Sequence, residues 1–379
     1  MKHTRRFLAP RPALAAALRM GMALAVSTST LGCLSGTPRP PCDDSDPIHA
    51  VCGFRNPEDL EHVERAGVVL VTNLRFGTAD DDGGFVSAYV IADGSVHRAW
   101  PADGASGGGA SDPDPSLGDA RCSEPPAVDT FAPHGITARS SRDATLVFVT
   151  AHAGESGGRE AVEIFGLEGT GHDARLVWKA CIPTPDAIQA NDVAVARDGA
   201  VVVSNFQADA SLRHMIFGSL FGMDTGNVLL WESERGWREI KGTSASLPNG
   251  VAVSRDGNTI FYAESTKGLV HRVPRNGGGG AISVSIDGNP DNMTWSKRGK
   301  LLVATHTAGR AFGLCIFGRR PCKTSWAVFE IDPQTMAVKR VMQHDGVAIG
   351  AVSTALQVGD KLMLGSVFDD RIGIVEVRG

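Results

Sequence analysis

Five pairs of neighbouring residues carry groups able to bind a hard cation or sit beside one: Glu58-Asp59, His134-Gly135, Asn191-Asp192, Asn249-Gly250 and Asp291-Asn292. Together they offer carboxylates and amide carbonyls and no soft sulfur ligand. Oxygen ligands of this kind suit calcium, which accepts about six to eight of them in flexible geometry. Asn and Asp are also ordinary turn residues, and any one position alone reads more readily as structural than as a ligand. The coincidence of five carries the reading. Two acid or amide doublets plus Glu58-Asp59 leave one member to face a channel mouth and the other to point deeper, which is enough for two stacked metal sites.

Each pair opens a copy of one repeated phrase: a polar start, an alternating apolar strand, a tight turn and a second apolar strand. The clearest copy is PNGVAVSRDGNTIFYAES from Pro248. Others start at Ala190, Pro290 and Pro133, with weaker copies at Pro57 and Ile349. Two-residue alternation around Asp-Gly-type turns makes each unit a hairpin. Repeats at this spacing imply a propeller, solenoid or array, and six units of β structure predict an all-β, six-bladed β-propeller. In such a ring the innermost strand of every blade starts at the same end of the central channel, so the doublets converge although they are far apart in sequence.

His134 starts the second unit and His152 ends it in VFVTAH. A hairpin returns one close to the other, and two histidines beside a metal suit a general base and a partner that shuttles or orients its proton. Each alone reads equally as a polar strand-end residue. His306 closes the fifth unit in VATH and is a further candidate for the site wall. His49, His62, His97, His172 and His271 have no such context and read as surface residues. No GxSxG elbow, Ser/His/Asp order, phosphate-binding loop or dinucleotide fingerprint stands out. The chemistry this points to is metal-assisted hydrolysis, the cation polarising an ester or lactone carbonyl and a histidine activating water.

The chain has 379 residues and a net charge of −5 with no basic stripe, which argues against a nucleic-acid partner. Residues 1–33 read as an export signal: a basic start at Lys2, Arg5 and Arg6, an apolar stretch from Ala13 to Val26 too short to span a membrane, and a Leu31-Gly32-Cys33 box similar to a lipoprotein cleavage site. Lipid on Cys33 would anchor the domain to the cell envelope, periplasmic or at the outer membrane, and ordinary cleavage would secrete it. Residues 34–51 read as a flexible tether and 52–379 as the propeller. The remaining cysteines, Cys42, Cys52, Cys122, Cys181, Cys315 and Cys322, are even in number and suggest disulfides, with Cys315 and Cys322 flanking a short loop. Ser211 to Met223, with Phe217 and Phe221, departs from the blade pattern and reads as a short apolar helix inserted on the active-site face, a lid over a hydrophobic ligand or a packing element.

Taken together, EDLEH at Glu58, PHGI at Pro133, VFVTAH ending at His152, AND at Ala190, PNGVAVSRDG at Pro248, PDN at Pro290, ATH at Ala304 and LMLGSVF at Leu362 resemble the serum paraoxonase (arylesterase) family, within the wider group that includes gluconolactonases and strictosidine-synthase-like propellers. The resemblance runs from about Gly53 to Val377. It implies two calcium ions in the channel: a catalytic one held by Glu58, Asn191, Asn249, Asp291 and Asn292, and a structural one held by Asp59, Asp192 and the backbone carbonyl of Ile136. It implies that His134 and His152 are the catalytic histidine pair, that His306 is a further active-site histidine, and that lactones are hydrolysed along with aryl esters. A family tyrosine at the pocket wall falls at Phe76. The family's ring-closing disulfide has no counterpart in the last strand, so closure rests on strand pairing.

The expectation is therefore an exported, calcium-dependent lactone hydrolase. Phe76, His306, Phe217 and Phe221 are expected to favour lipophilic small-molecule substrates. A sugar-lactone hydrolase and a catalytically silent propeller that binds a partner and uses calcium only for structure are the competing readings.

Overall fold

Each repeat supplies two β-branched-rich strands that cannot bury both faces alone, so the chain stacks them as twisted sheets around a common axis. The computed structural model describes residues 44–45, 47–75, 83–102, 113–152, 157–207, 218, 221–316 and 322–377. They form six antiparallel sheets, one per repeat. Blade one is Pro57–Val63, Val68–Asn73, Phe85–Val90 and Val96–Trp100, running outward from the channel. Blade two is Pro133–Ser140, Thr145–Ala151, Ala161–Glu168 and Arg175–Pro183. The inner strands of blades three to five are Ala190–Val195, Pro248–Val253 and Asn289–Trp295. Successive inner strands touch all the way round, and that of blade six, Val352–Val358, touches that of blade one. The six-bladed propeller expected from the repeats is what forms.

Blade six closes the ring by joining both ends of the chain. Its three C-terminal strands are completed by Ile48–Cys52, which pairs antiparallel with Arg371–Glu376, and Asp44–Ser45 adds a further short strand. The expected boundary between tether and propeller is corrected accordingly. Residues 48–51 belong to the closing sheet, where Ile48 is fully buried, and ring closure by strand pairing holds as expected.

Between blades the faces are filled by large apolar side chains. Trp100, Phe131 and Phe165 meet edge-on or tilted between blades one and two, with Trp100 centroids 4.5 and 5.4 Å from the two phenylalanines. Each such side chain stabilises the packed ring by about 1.5–3 kcal/mol. Cys122–Cys181 ties the loop leaving blade one to the outer strand of blade two, and Cys315–Cys322 forms as the spacing suggested. The expected helix at Ser211 to Met223 lies largely outside the described residues. Of its described residues, Gly218 and Phe221 are helical, and a further helix is found at Gly309–Ile316, directly after the strand that ends in His306.

Candidate metal and catalytic site

The six inner strands share one irregularity. In each, the pairing register slips just after the strand begins: between Pro57 and Leu60, Pro133 and Ile136, Ala190 and Val193, Pro248 and Val251, Pro290 and Met293, and Val352 and Thr354. A bulge of this kind sets two residues against one and re-aims their side chains. The skipped residues in blades one to five are the five sequence doublets. The bulges take them out of the in/out alternation and crowd them at one end of the channel. Two glycines permit the crowding. A Cβ on Gly135 would stand 2.3 Å from Asp192 Oδ1, and one on Gly250 would stand 2.5 Å from the Asp291 carbonyl oxygen.

Within this cluster the members of the doublets behave differently. Each carboxylate oxygen of Asp59 and Asp192 accepts one backbone N–H and keeps a second lone pair. Asp59 accepts from the N–H of Leu60 at 2.9 Å and of Ile136 at 3.0 Å, and Asp192 accepts from Val193 and Val251, both at 2.7 Å. They stitch blade one to two and three to four. Glu58, Asn191, Asn249 and Asn292 differ from them. The side-chain oxygens Glu58 Oε2, Asn191 Oδ1, Asn249 Oδ1 and Asn292 Oδ1 are buried without a hydrogen-bond partner. Orphaned polar atoms cost about 1–3 kcal/mol each, and four of them on the bulged starts of the inner strands make this a candidate site for a cation. Among the described residues no group of three or more His, Cys, Asp or Glu side chains gathers as for a transition metal. The donors here are amide and carboxylate oxygens, the set that fits calcium.

Electrostatics agree. Burial, and then the neighbouring Glu58 charge, push the Asp59 carboxyl up to about 7. Burial and then Asp59 push Asp192 well above the usual carboxylate range, and burial raises Asp291 although His306 opposes it. Buried carboxylates this close repel one another, and a divalent cation among them removes that cost.

Both expected histidines stand at the rim of the cluster. His134 Nδ1 lies 3.3 Å from Glu58 Oε2, too poorly aligned for a hydrogen bond but close enough for charge contact. Burial works against protonation of His134, yet Glu58, Asp291 and Asp59 outweigh it and raise its pKa. The His134 and His152 rings meet edge to face with centroids 5.9 Å apart. His306 is not on an open wall. It is 2% exposed, its Nε2 lies 2.6 Å from Asp291 Oδ2, and its ring stacks on Phe312 at 3.8 Å. Its position is behind a proposed ligand, because the strand turns into the helix there and Phe312 covers the ring. Phe221 is 68% exposed; Phe76 and Phe217 lie outside the described residues.

Sequence reasoning missed several contributors. Ser353 is the sixth blade's skipped residue, and its hydroxyl donates to the Glu58 carbonyl at 2.6 Å. Its repeat opens without Asn or Asp, so only the common register reveals it. Phe312 was missed because its helix interrupts the blade pattern. His271, read as a surface residue, is buried between Glu264 Oε2 at 2.8 Å and Ser283 Oγ at 2.7 Å.

The fold is a six-bladed β-propeller with a candidate cation site at one end of its channel. Residues 111–373 match the Arylesterase family, more than half of the chain, and the chain belongs to that family. A stretch of 103 residues is 27% identical to Protein STRICTOSIDINE SYNTHASE-LIKE 8 of Arabidopsis thaliana, covering 26% of this chain and 27% of that protein. Among solved structures, a luciferin-regenerating enzyme superposes with a TM-score of 0.50 at 13% identity, covering 87% of this chain and 95% of its own. A gluconolactonase from Xanthomonas campestris gives a TM-score of 0.48 at 15% identity over 90% of this chain and 99% of its own. The first likeness concerns the fold alone, and the second is too distant to carry weight.

Proposed function

We propose that the chain is a calcium-dependent hydrolase of lactones that also accepts aryl esters. The observation that carries this is the convergence of the orphaned oxygens of Glu58, Asn191, Asn249 and Asn292 beside His134. These residues with Asp291 would hold one calcium. Asp59, Asp192 and the Ile136 carbonyl would hold a second, structural one. Calcium bound there supplies a Lewis acid that polarises the substrate carbonyl and stabilises its developing oxyanion.

The chain's own side chains do the rest. The Glu58 carboxylate favours the proton on His134 Nδ1 and leaves Nε2 as the basic nitrogen. Nε2 takes a proton from the attacking water. His152, edge-on to His134, receives or orients that proton. Asp291, held by His306, keeps a fixed direction within the ligand set. Lipophilic lactones, such as an acylated homoserine lactone, are the proposed substrates. Export through residues 1–33 and a lipid on Cys33 are proposed to place the domain at the cell envelope; those residues lie outside the described ones.

The test is hydrolysis of a long-chain acyl lactone, a sugar lactone and phenyl acetate with calcium and with chelator. Activity on the first and last, lost on chelation and regained with calcium, is the expected result. A folded, calcium-loaded protein that turns over none of them would overturn the proposal.

A further inference from the structure

His152 follows the second strand of blade two and Glu160 precedes the third. Ala151 pairs with Ala161 in that hairpin, so His152 and Glu160 are the next positions in register across the two strands. Their side chains stand within charge-contact range with no hydrogen bond between them: His152 Nδ1 is 3.6 Å from Glu160 Oε2. The backbone on both sides is pinned. The His152 N–H donates to the Ala132 carbonyl at 2.8 Å, two residues before His134. The Glu160 carbonyl accepts from the Thr184 N–H at 3.1 Å and from the Thr184 hydroxyl at 3.3 Å.

The residue before Glu160 is locked as well. Arg159 makes a two-pronged contact with the fully buried Glu163, both bonds 2.7 Å, and a third to the Glu124 carbonyl at 3.0 Å. Trp178 Nε1 donates to the same Glu163 carboxylate at 2.8 Å. A bidentate Arg–carboxylate pair fixes direction as well as distance. Arg159 is thereby held on Glu163, and the Glu160 carboxylate faces His152.

We infer that Glu160 is a positioning residue for the histidine pair, making a chain Glu58–His134–His152–Glu160 of two imidazoles between two carboxylates. The inference rests on the proposed hydrolase reading. An imidazole whose Nδ1 faces a carboxylate holds its proton there, presents the other nitrogen as the acceptor, and is stabilised when it becomes cationic. In lactone opening, water adds to the carbonyl carbon and gives its proton to His134. The proton passes to His152, where Glu160 stabilises the charge. The ring C–O bond breaks, and the departing alkoxide takes back that same proton from His152 by way of His134, giving the hydroxy acid and restoring both neutral imidazoles.

The experiment uses the calcium-loaded full chain, Glu160→Gln and Glu160→Asp. Ring ¹⁵N chemical shifts of His152 report which nitrogen carries the proton. The expected result is an Nδ1–H tautomer in the wild type, its loss in Glu160→Gln and its partial return in Glu160→Asp. With phenyl acetate, kcat in Glu160→Gln falls about tenfold with KM and calcium affinity held, as for loss of one acid–base positioning contact. A His152 tautomer that is the same in Glu160→Gln as in the wild type overturns the inference, even if kcat falls. If the wild type hydrolyses nothing, the hydrolase reading fails on its own, while the ¹⁵N shifts still decide the His152–Glu160 pairing.

Discussion

Asn292 donates from Nδ2 to Glu58 Oε1 at 2.7 Å, joining two residues 234 positions apart and two blades that are not neighbours in the ring. This bond leaves one oxygen on each side chain, Glu58 Oε2 and Asn292 Oδ1, buried without a hydrogen-bond partner. The same contact therefore joins blades one and five and positions two proposed ligand atoms.

Asn292→Asp tests that relationship. It replaces a donor by a second carboxylate against Glu58. In chelator the variant is expected to lose about 3 kcal/mol of stability, the cost of an uncompensated buried charge. Saturating calcium should recover most of it, because a cation between the two carboxylates offsets their repulsion. Urea denaturation with and without calcium measures both values. Equal losses in the two conditions would show that no cation is held between these side chains.

Gly250 is required by a close approach between inner strands. A Cβ there would press on the Asp291 carbonyl oxygen at 2.5 Å and on Asn292 Cα at 2.7 Å. These are backbone atoms of the next blade, and they cannot move without shifting two proposed ligands. Gly250→Ala is expected to cost about 1–3 kcal/mol by overpacking and to weaken calcium binding together with stability. Gly280→Ala is the control, since a Cβ there meets nothing within 4 Å. Urea denaturation and calcium titration of both variants distinguish a specific channel effect from a general loss of glycine.

Much of this site was legible before any coordinates. The repeats gave six hairpins, and placing Glu58, Asn191, Asn249 and Asp291 at equivalent positions made their convergence a consequence of the ring. Relationships set by register across strands were not legible. His271 and Glu264 meet because blade four pairs Glu264 with Leu269 and Tyr262 with His271. Nothing in the local sequence around either residue announces it. Ser353 was hidden for the opposite reason: its repeat has the strand pattern without the polar opening that identified the others. Residues 48–51 of the closing strand looked like tether because their partner strand lies at the far end of the chain.

Glu264 gives a pH-dependent test away from the proposed metal ligands. Burial alone would raise its carboxyl. Bonds from His271, Lys267 and the Ser246 N–H overcome this and hold it near 2, below the usual 4.5. A depressed carboxylate contributes stability that is fully present above 4.5 and is lost as pH falls through 4.5 towards 2. Glu264→Gln should therefore be less stable than wild type at neutral pH, with the gap closing across that window. Denaturant midpoints between neutral pH and pH 2 check the sign. A gap independent of pH would mean the side chain acts by shape alone.

His306 stands behind Asp291 with its ring covered by Phe312, and the Nε2–Oδ2 separation of 2.6 Å fixes the carboxylate from behind. Partners of this kind tune metal sites without touching the ion, and losing one costs about 10–100-fold in affinity. His306→Phe keeps an aromatic ring for Phe312 to stack on and removes only the hydrogen bond. Calcium affinity measured by calorimetry is expected to fall at least about tenfold, with lactone hydrolysis at limiting calcium falling in step. High calcium should restore most of the turnover, because the ligands themselves are intact. Turnover that stays low at saturating calcium would instead place His306 in contact with substrate, where sequence reasoning first put it.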